Sequence, residues 1–233
     1  EMCLSLVGSE MCISDSNNRY KKVRAYPWKM MQNVNGWEYG TNYNFLKKIS
    51  RYWVSKYNWK KFENKINSFK NYKTNVDGIN LHFIIEKSKN PKSRPLLLLH
   101  GWPGSVIEFF EIIPRLAQPE KFGGKIEDGF DVIVPSLPGF GFSTPIKKAL
   151  GPRKIGKILN KFMVKNLGHK NYIVQGGDWG ATIAAWIGLD SAKYCKGIHI
   201  NCLPIRHPKG PKNINEKKWE KKFNFDQIMQ EGY

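Results

Sequence analysis

Ile173-Val-Gln-Gly-Gly-Asp-Trp-Gly-Ala-Thr182 runs from an apolar stretch, through an acid bracketed by glycines, into a segment able to open a helix. The spacing Gly176-x-Asp178-x-Gly180 is that of a strand-turn-helix elbow that holds a nucleophile forward. Such a central residue sits in a strained backbone conformation, and bulky side chains two positions away would clash. Many elbows of this kind carry serine, which suits acyl transfer. A carboxylate instead attacks an sp³ carbon by displacement, leaving an ester that water can later open. A helix starting behind Asp178 would favour the ionised acid. The plainer reading is an ordinary helix N-cap, a position that aspartate also prefers.

Working outward, short apolar runs alternate with helical patterns. Residues 96–99 precede a helix over 105–116; residues 130–134 precede a glycine loop and a helix over 155–167; residues 172–174 precede a helix over 181–189. A fourth strand covers 197–202. Continuous apolar strands alternating with helices predict an α/β chain with a mostly parallel sheet covered on both faces. Upstream, residues 41–69 repeat apolar positions every three or four residues and predict two amphipathic helices that part near Asn58. Residues 74–87 alternate around Asp77-Gly78, which predicts a hairpin. Four segments result: a weakly patterned start (1–24), a helical module (25–73), the sheet-and-helix core (74–205), and a basic, loop-like end (206–233).

A chain of 233 residues is long enough to bury a large core, and no apolar run approaches the roughly 20 residues needed to span a bilayer. Of the net charge of +19, much lies in residues 19–73, where 14 Lys and Arg face two acids, Glu38 and Glu63. Such a run fits an anionic membrane surface, nucleic acid or a solvated lysine-rich face. Its aromatics fall at helix-core spacing rather than as base-stacking platforms, so nucleic acid is not expected. Cys3, Cys12, Cys195 and Cys202 show neither zinc spacing nor a secreted framework, and reduced thiols are expected, with Cys195 and Cys202 packed. The chain starts with Glu and shows no signal-peptide pattern over residues 1–18, so a leader or anchor could lie upstream.

In open parallel sheets reactive groups gather at the carboxyl ends of strands. Three loops stand out there: His100-Gly-Trp-Pro-Gly-Ser105, Pro138-Gly-Phe-Gly-Phe-Ser143 and Gly176-Gly-Asp-Trp-Gly180. An oxyanion hole would combine the amide following the nucleophile, Trp179, with one from the loop after an earlier strand, Trp102. The first loop also reads as a helix start capped by Ser105 with Glu108 in a capping box, and both readings can hold together. Strained epoxides and alkyl halides are the substrates that suit such a carboxylate.

Arg94-Pro-Leu-Leu-Leu-Leu-His-Gly-Trp-Pro-Gly-Ser105, Pro135-Ser-Leu-Pro-Gly-Phe-Gly-Phe-Ser143 and Tyr172-Ile-Val-Gln-Gly-Gly-Asp-Trp-Gly180 together resemble the microsomal epoxide hydrolases, including the insect juvenile hormone epoxide hydrolases. Tyr43-Asn-Phe-Leu-Lys-Lys48 and Tyr52-Trp-Val-Ser-Lys-Tyr-Asn-Trp-Lys-Lys61 resemble that family's N-terminal helical module, so the similarity covers roughly residues 25 to 205. The resemblance implies an α/β-hydrolase fold in which Asp178 opens a lipophilic epoxide to a glycol ester. The amides of Trp102 and Trp179 would form the oxyanion hole, and a histidine paired with an acid would activate water. Two lid tyrosines would polarise the epoxide oxygen, and no metal or organic cofactor is implied. It also implies the endoplasmic reticulum or microsomal membrane, with the basic module adding attraction for an anionic leaflet.

The family's catalytic histidine should follow the elbow near the end of a complete fold. His82 and His100 precede the elbow and read as structural, and His169 lies in the loop before its strand. His199 reads as packed within a strand, while His207 lies in a Pro-rich basic loop. The histidine, its acid and the lid are therefore expected outside this chain, which reads as the front of a longer enzyme, with an incomplete α/β-hydrolase core. A haloalkane dehalogenase shares the carboxylate displacement and the following Trp but usually lacks the basic helical module. A catalytically dead lipophilic-ligand binder is the other alternative. The Lys- and Asn-rich composition tips the choice slightly toward juvenile hormone over a xenobiotic epoxide.

Overall fold

The structure, a computed structural model, describes residue 18, residues 20–31 and residues 36–202. A six-stranded sheet forms its centre: β1 (Asn71–Val76), β2 (Ile79–Glu86), β3 (Pro95–Leu99), β4 (Asp131–Pro135), β5 (Tyr172–Gly177) and β6 (Cys195–Asn201). The spatial order is β1-β2-β4-β3-β5-β6. β4, β3, β5 and β6 run parallel, while β1 and β2 join as an antiparallel hairpin edge, with β2 antiparallel to β4. Asp77, at φ 52°, and Gly78, at φ 81°, turn the hairpin as their sequence predicts.

β3 shows why the central strands carry no polar alternation. Leu97 and Leu99 join one core with Ile133, Val174 and Ile183, while Leu96 and Leu98 join a second core on the opposite face with Val132, Val134 and Phe110. With both faces covered, every position must be apolar. The α-helices of the described residues include α1 (Tyr43–Ser55), α2 (Trp59–Asn67), α3 (Ile113–Ala117), α4 (Pro152–Lys161) and α5 (Trp179–Asp190). Asn42 and Asn58 cap the first two, their side chains accepting from Phe45 N at 3.0 Å and Lys60 N at 2.9 Å. α5 buries Gly180, Ala181, Ile183, Ala184 and Ile187 against the sheet.

Several sequence expectations are corrected. The single helix expected over 105–116 is a 3-10 turn, Val106–Phe109, followed by the short α3. Pro114 lacks an N–H to donate backward and starts a new helix instead of continuing one. The helix over 155–167 is α4 followed by a π-helical turn, Phe162–Asn166. The helix-core spacing in α1 does not produce a buried face: Phe45, Ile49, Tyr52 and Trp53 are 45–51% exposed, and no α1 residue is buried. His199 and Cys202 are exposed rather than packed, because among the described residues β6 is the outermost strand on its side of the sheet; Cys195 is buried. His207, Cys3 and Cys12 lie outside the described residues. So do most of segment 1–24 and all of 206–233.

Candidate active site

β3 and β5 are neighbours whose outgoing connections diverge, one leading to β4 and the other to β6 on the far side. Ligands of open α/β sheets bind outside the carboxyl ends of strands at such a switch point. There the loop after β3 meets the elbow after β5, around an open cleft of about 410 Å³ whose walls include Trp102, Glu108, Phe109, Gln175 and Asn201.

The elbow is tight because two glycines allow it. A Cβ on Gly176 would lie 2.2 Å from the Gly180 carbonyl oxygen, and one on Gly180 would lie 2.1 Å from that of Leu99. This approach brings α5 onto β3 directly behind the turn and leaves Asp178 at φ 52°, a region that non-glycine residues seldom occupy. Its backbone is anchored on both sides. The amide donates to Cys202 O at 3.1 Å, and the carbonyl accepts from Ala181 N and Thr182 N at 3.1 and 3.2 Å.

The side chain makes no cap bond to α5, so the N-cap reading does not describe its geometry. Instead, Trp102 N–H donates to Asp178 Oδ1 at 2.8 Å. Gly101 permits the contact, since a Cβ there would meet Asp178 Cβ at 2.8 Å. Trp179 is the first residue of α5, and its amide is one of the donors a helix start leaves without an intrahelical acceptor. Asp178, Trp102 and Trp179 thus converge on one end of the sheet. One carboxylate oxygen is held by an amide, and Asp178 itself lines the cleft.

Three further residues of this cleft escape sequence reasoning. Glu108 reads from sequence as a capping partner, but it also lines the cleft. Burial raises its carboxyl above the usual range, opposed by the Ser105 and Gly101 amides and reinforced by the nearby Asp178 charge. Its Oε1 fills the side-chain position at Gly104, where a Cβ would lie 1.3 Å from it. Gln175 Nε2 donates to Asn201 Oδ1 at 2.7 Å, forming a polar wall beside Asp178. For Gln175 and Asn201, a polar residue inside an otherwise apolar strand was the available signal. Among the histidines, His82 and His100 are fully buried, His169 is half-buried and His199 is exposed, and none of the four lines the cleft.

A mostly parallel sheet with its elbow acid facing an amide of the β3 loop is the architecture of an α/β-hydrolase. Residues 94–225 match the family described as alpha/beta hydrolase fold, and residues 9–109 match the family described as Epoxide hydrolase N terminus. The chain belongs to the epoxide hydrolases of the α/β-hydrolase fold. Epoxide hydrolase 1 of Oryctolagus cuniculus is 38% identical over 200 residues, covering 83% of this chain and 43% of that protein. Juvenile hormone epoxide hydrolase 1 of Ctenocephalides felis is 38% identical over 175 residues, covering 73% of this chain and 37% of that protein. The crystal structure of juvenile hormone epoxide hydrolase from Bombyx mori superposes with a TM-score of 0.74 at 34% identity, covering 86% of this chain and 52% of that one. The chain spans about two fifths of the length of these two sequence relatives.

Proposed function

We propose that the protein hydrolyses a lipophilic epoxide to a diol, with Asp178 as nucleophile and the Trp102 and Trp179 amides as oxyanion donors. Asp178 Oδ2 forms a bond to an epoxide carbon while that carbon's bond to the ring oxygen breaks. The oxygen leaves as an alkoxide and takes up a proton. Water then adds to the ester carbonyl carbon, charge collects on Oδ1, and collapse releases the diol and restores the carboxylate. The observation that carries this reading is the direction of the Asp178 side chain, toward the Trp102 amide and away from its own helix.

Relatives named as juvenile hormone epoxide hydrolases support juvenile hormone as substrate, with xenobiotic epoxides as the broader class. A location at the endoplasmic reticulum membrane belongs to the same proposal. Lys47, Lys48 and Arg51 share α1 with the exposed Phe45 and Trp53, and each well-placed cation adds about 1 kcal/mol of attraction to an anionic leaflet. No helix among the described residues is long and apolar enough to cross a membrane.

The test is to mix the protein with a lipophilic terminal epoxide and weigh it after rapid acid quench. An adduct of the epoxide's mass on the peptide containing Asp178, absent in Asp178→Asn, is the expected result. Diol formation with full activity in Asp178→Asn would refute it.

A further inference from the structure

His82 and His100 are buried and have no step in this chemistry, and the loop over residues 138–143 has none either. The hydrogen bonds of these groups form two runs joined through the Ser136–Leu137 backbone. Asn71 Nδ2 donates to Ile66 O at 2.9 Å and to Phe69 O at 2.8 Å, across the C-terminal end of α2, which fixes the amide's orientation. Its Oδ1 lies 3.0 Å from His82 Nε2 and can only accept, so that nitrogen carries the proton. His82 Nδ1 is then a lone pair, and it takes the Ser136 hydroxyl at 2.8 Å.

At the next residue the path turns toward the site. Leu137 N–H donates to His100 Nε2 at 3.0 Å. A backbone amide can only donate, so the His100 proton sits on Nδ1, which donates to Gly101 O at 2.9 Å. That carbonyl belongs to the same peptide unit as Trp102 N–H, the amide that holds Asp178 Oδ1. A peptide unit is planar, so fixing its oxygen fixes where its N–H points, and a donor on the oxygen strengthens the N–H as a donor.

The loop 138–143 grips both rings. Phe142 meets His82 edge to face at 5.0 Å, and Phe140 meets His100 likewise at 5.2 Å. Ser143 Oγ donates to Ser136 O at 2.7 Å and accepts the His82 amide at 2.9 Å.

We infer that His82 and His100 are positioning residues that form a relay from the end of α2 to the Gly101–Trp102 peptide and aim the oxyanion donor. The inference rests on the ester mechanism proposed above. It assigns the glycine-aromatic loop its purpose, which is to keep two neutral imidazoles in fixed orientation, and it makes the helical module a support for catalysis at the opposite end of the path.

The test uses protein expressed from its complete coding sequence, with formation and hydrolysis of the Asp178 ester timed separately by quench and intact mass. In His100→Leu, ester hydrolysis falls by about 10²-fold, the loss typical of one oxyanion donor, while ester formation is unchanged, so the adduct accumulates. Ser136→Ala keeps the volume and removes only the hydroxyl on His82; hydrolysis falls by about tenfold, the effect of one lost hydrogen bond. A merely structural role would lower the melting temperature without changing the ratio of the two steps. If folded Ser136→Ala and, where it folds, His100→Leu hydrolyse the ester at the parent rate, the relay is overturned. If the parent forms no adduct at all, the functional reading falls, and this inference falls with it.

Discussion

Gly180→Ala sets two effects of opposite sign against each other. Alanine is the better helix former, and in an exposed helix interior the change would stabilise by about 1 kcal/mol. Gly180 is the second residue of α5, and here the added Cβ would lie 2.1 Å from Leu99 O, 2.7 Å from Leu99 C and 2.9 Å from Leu99 Cβ. Reaching an ordinary carbon–oxygen contact of about 3.3 Å requires α5 and β3 to part by about 1.2 Å at that point. The obstacle is backbone of a central strand, so no side-chain rotation relieves it. Overpacking of this kind costs about 1–3 kcal/mol, and an obstacle that cannot rotate away belongs at the upper end, leaving a net destabilisation of about 2 kcal/mol. The same displacement moves the Trp179 amide off the elbow, so ester hydrolysis slows as well. Urea titration measures the first effect through the midpoint at unchanged slope. A midpoint equal to or above that of the parent would show that the helix does not approach the strand as described.

Gly101→Ala places a methyl 2.8 Å from Asp178 Cβ and 2.9 Å from its Oδ1, so it displaces the attacking carboxylate itself; adduct formation on Asp178 should drop sharply while the urea midpoint changes less than for Gly180→Ala. Leu97, fully buried in the central strand, should cost about 2–5 kcal/mol as Leu97→Ala, again read by urea titration. Burial, then the Lys73 charge, lower the His82 pKa from 6.5 to about 3. The unfolded chain therefore binds a proton that the folded one refuses. The contribution is whole above pH 6.5 and declines below it, by up to about 1.4 kcal/mol per pH unit until about pH 3. Urea midpoints between pH 7 and pH 4 should fall more steeply for the parent than for His82→Leu, and parallel slopes would refute the assignment.

The sheet was legible because its strands are apolar on both faces and its hairpin carries Asp77-Gly78, two signals that depend only on local pattern. The elbow was legible for the same reason: Gly176 and Gly180 encode a close approach that no other residue tolerates. What failed depended on partners distant in sequence. The aromatic stripe of α1 gave its helix correctly, but periodicity does not state what covers a face, and among the described residues this one stays about half exposed. His199 and Cys202 were misplaced because the alternation of a strand does not reveal what pairs with it, and among the described residues nothing lies beyond β6. The role of Glu108 depends on a loop that folds back over Gly104, and the pairing of His82 with Ser136 spans 54 positions. Neither leaves a periodic trace.

The hydrogen bond from Trp102 to Oδ1 also gives the carboxylate a memory. A free aspartate has two equivalent oxygens, but here only one is at liberty to attack, and each cycle of the proposed mechanism exports that oxygen in the diol and replaces it with one from water. If the pinned oxygen holds its place through turnover, protein cycled many times in H₂¹⁸O gains one heavy atom at Asp178 and stops. Rotation of the carboxylate between cycles would admit a second. The isotopic count on a single peptide therefore reports how firmly the loop after β3 grips the acid while the enzyme works.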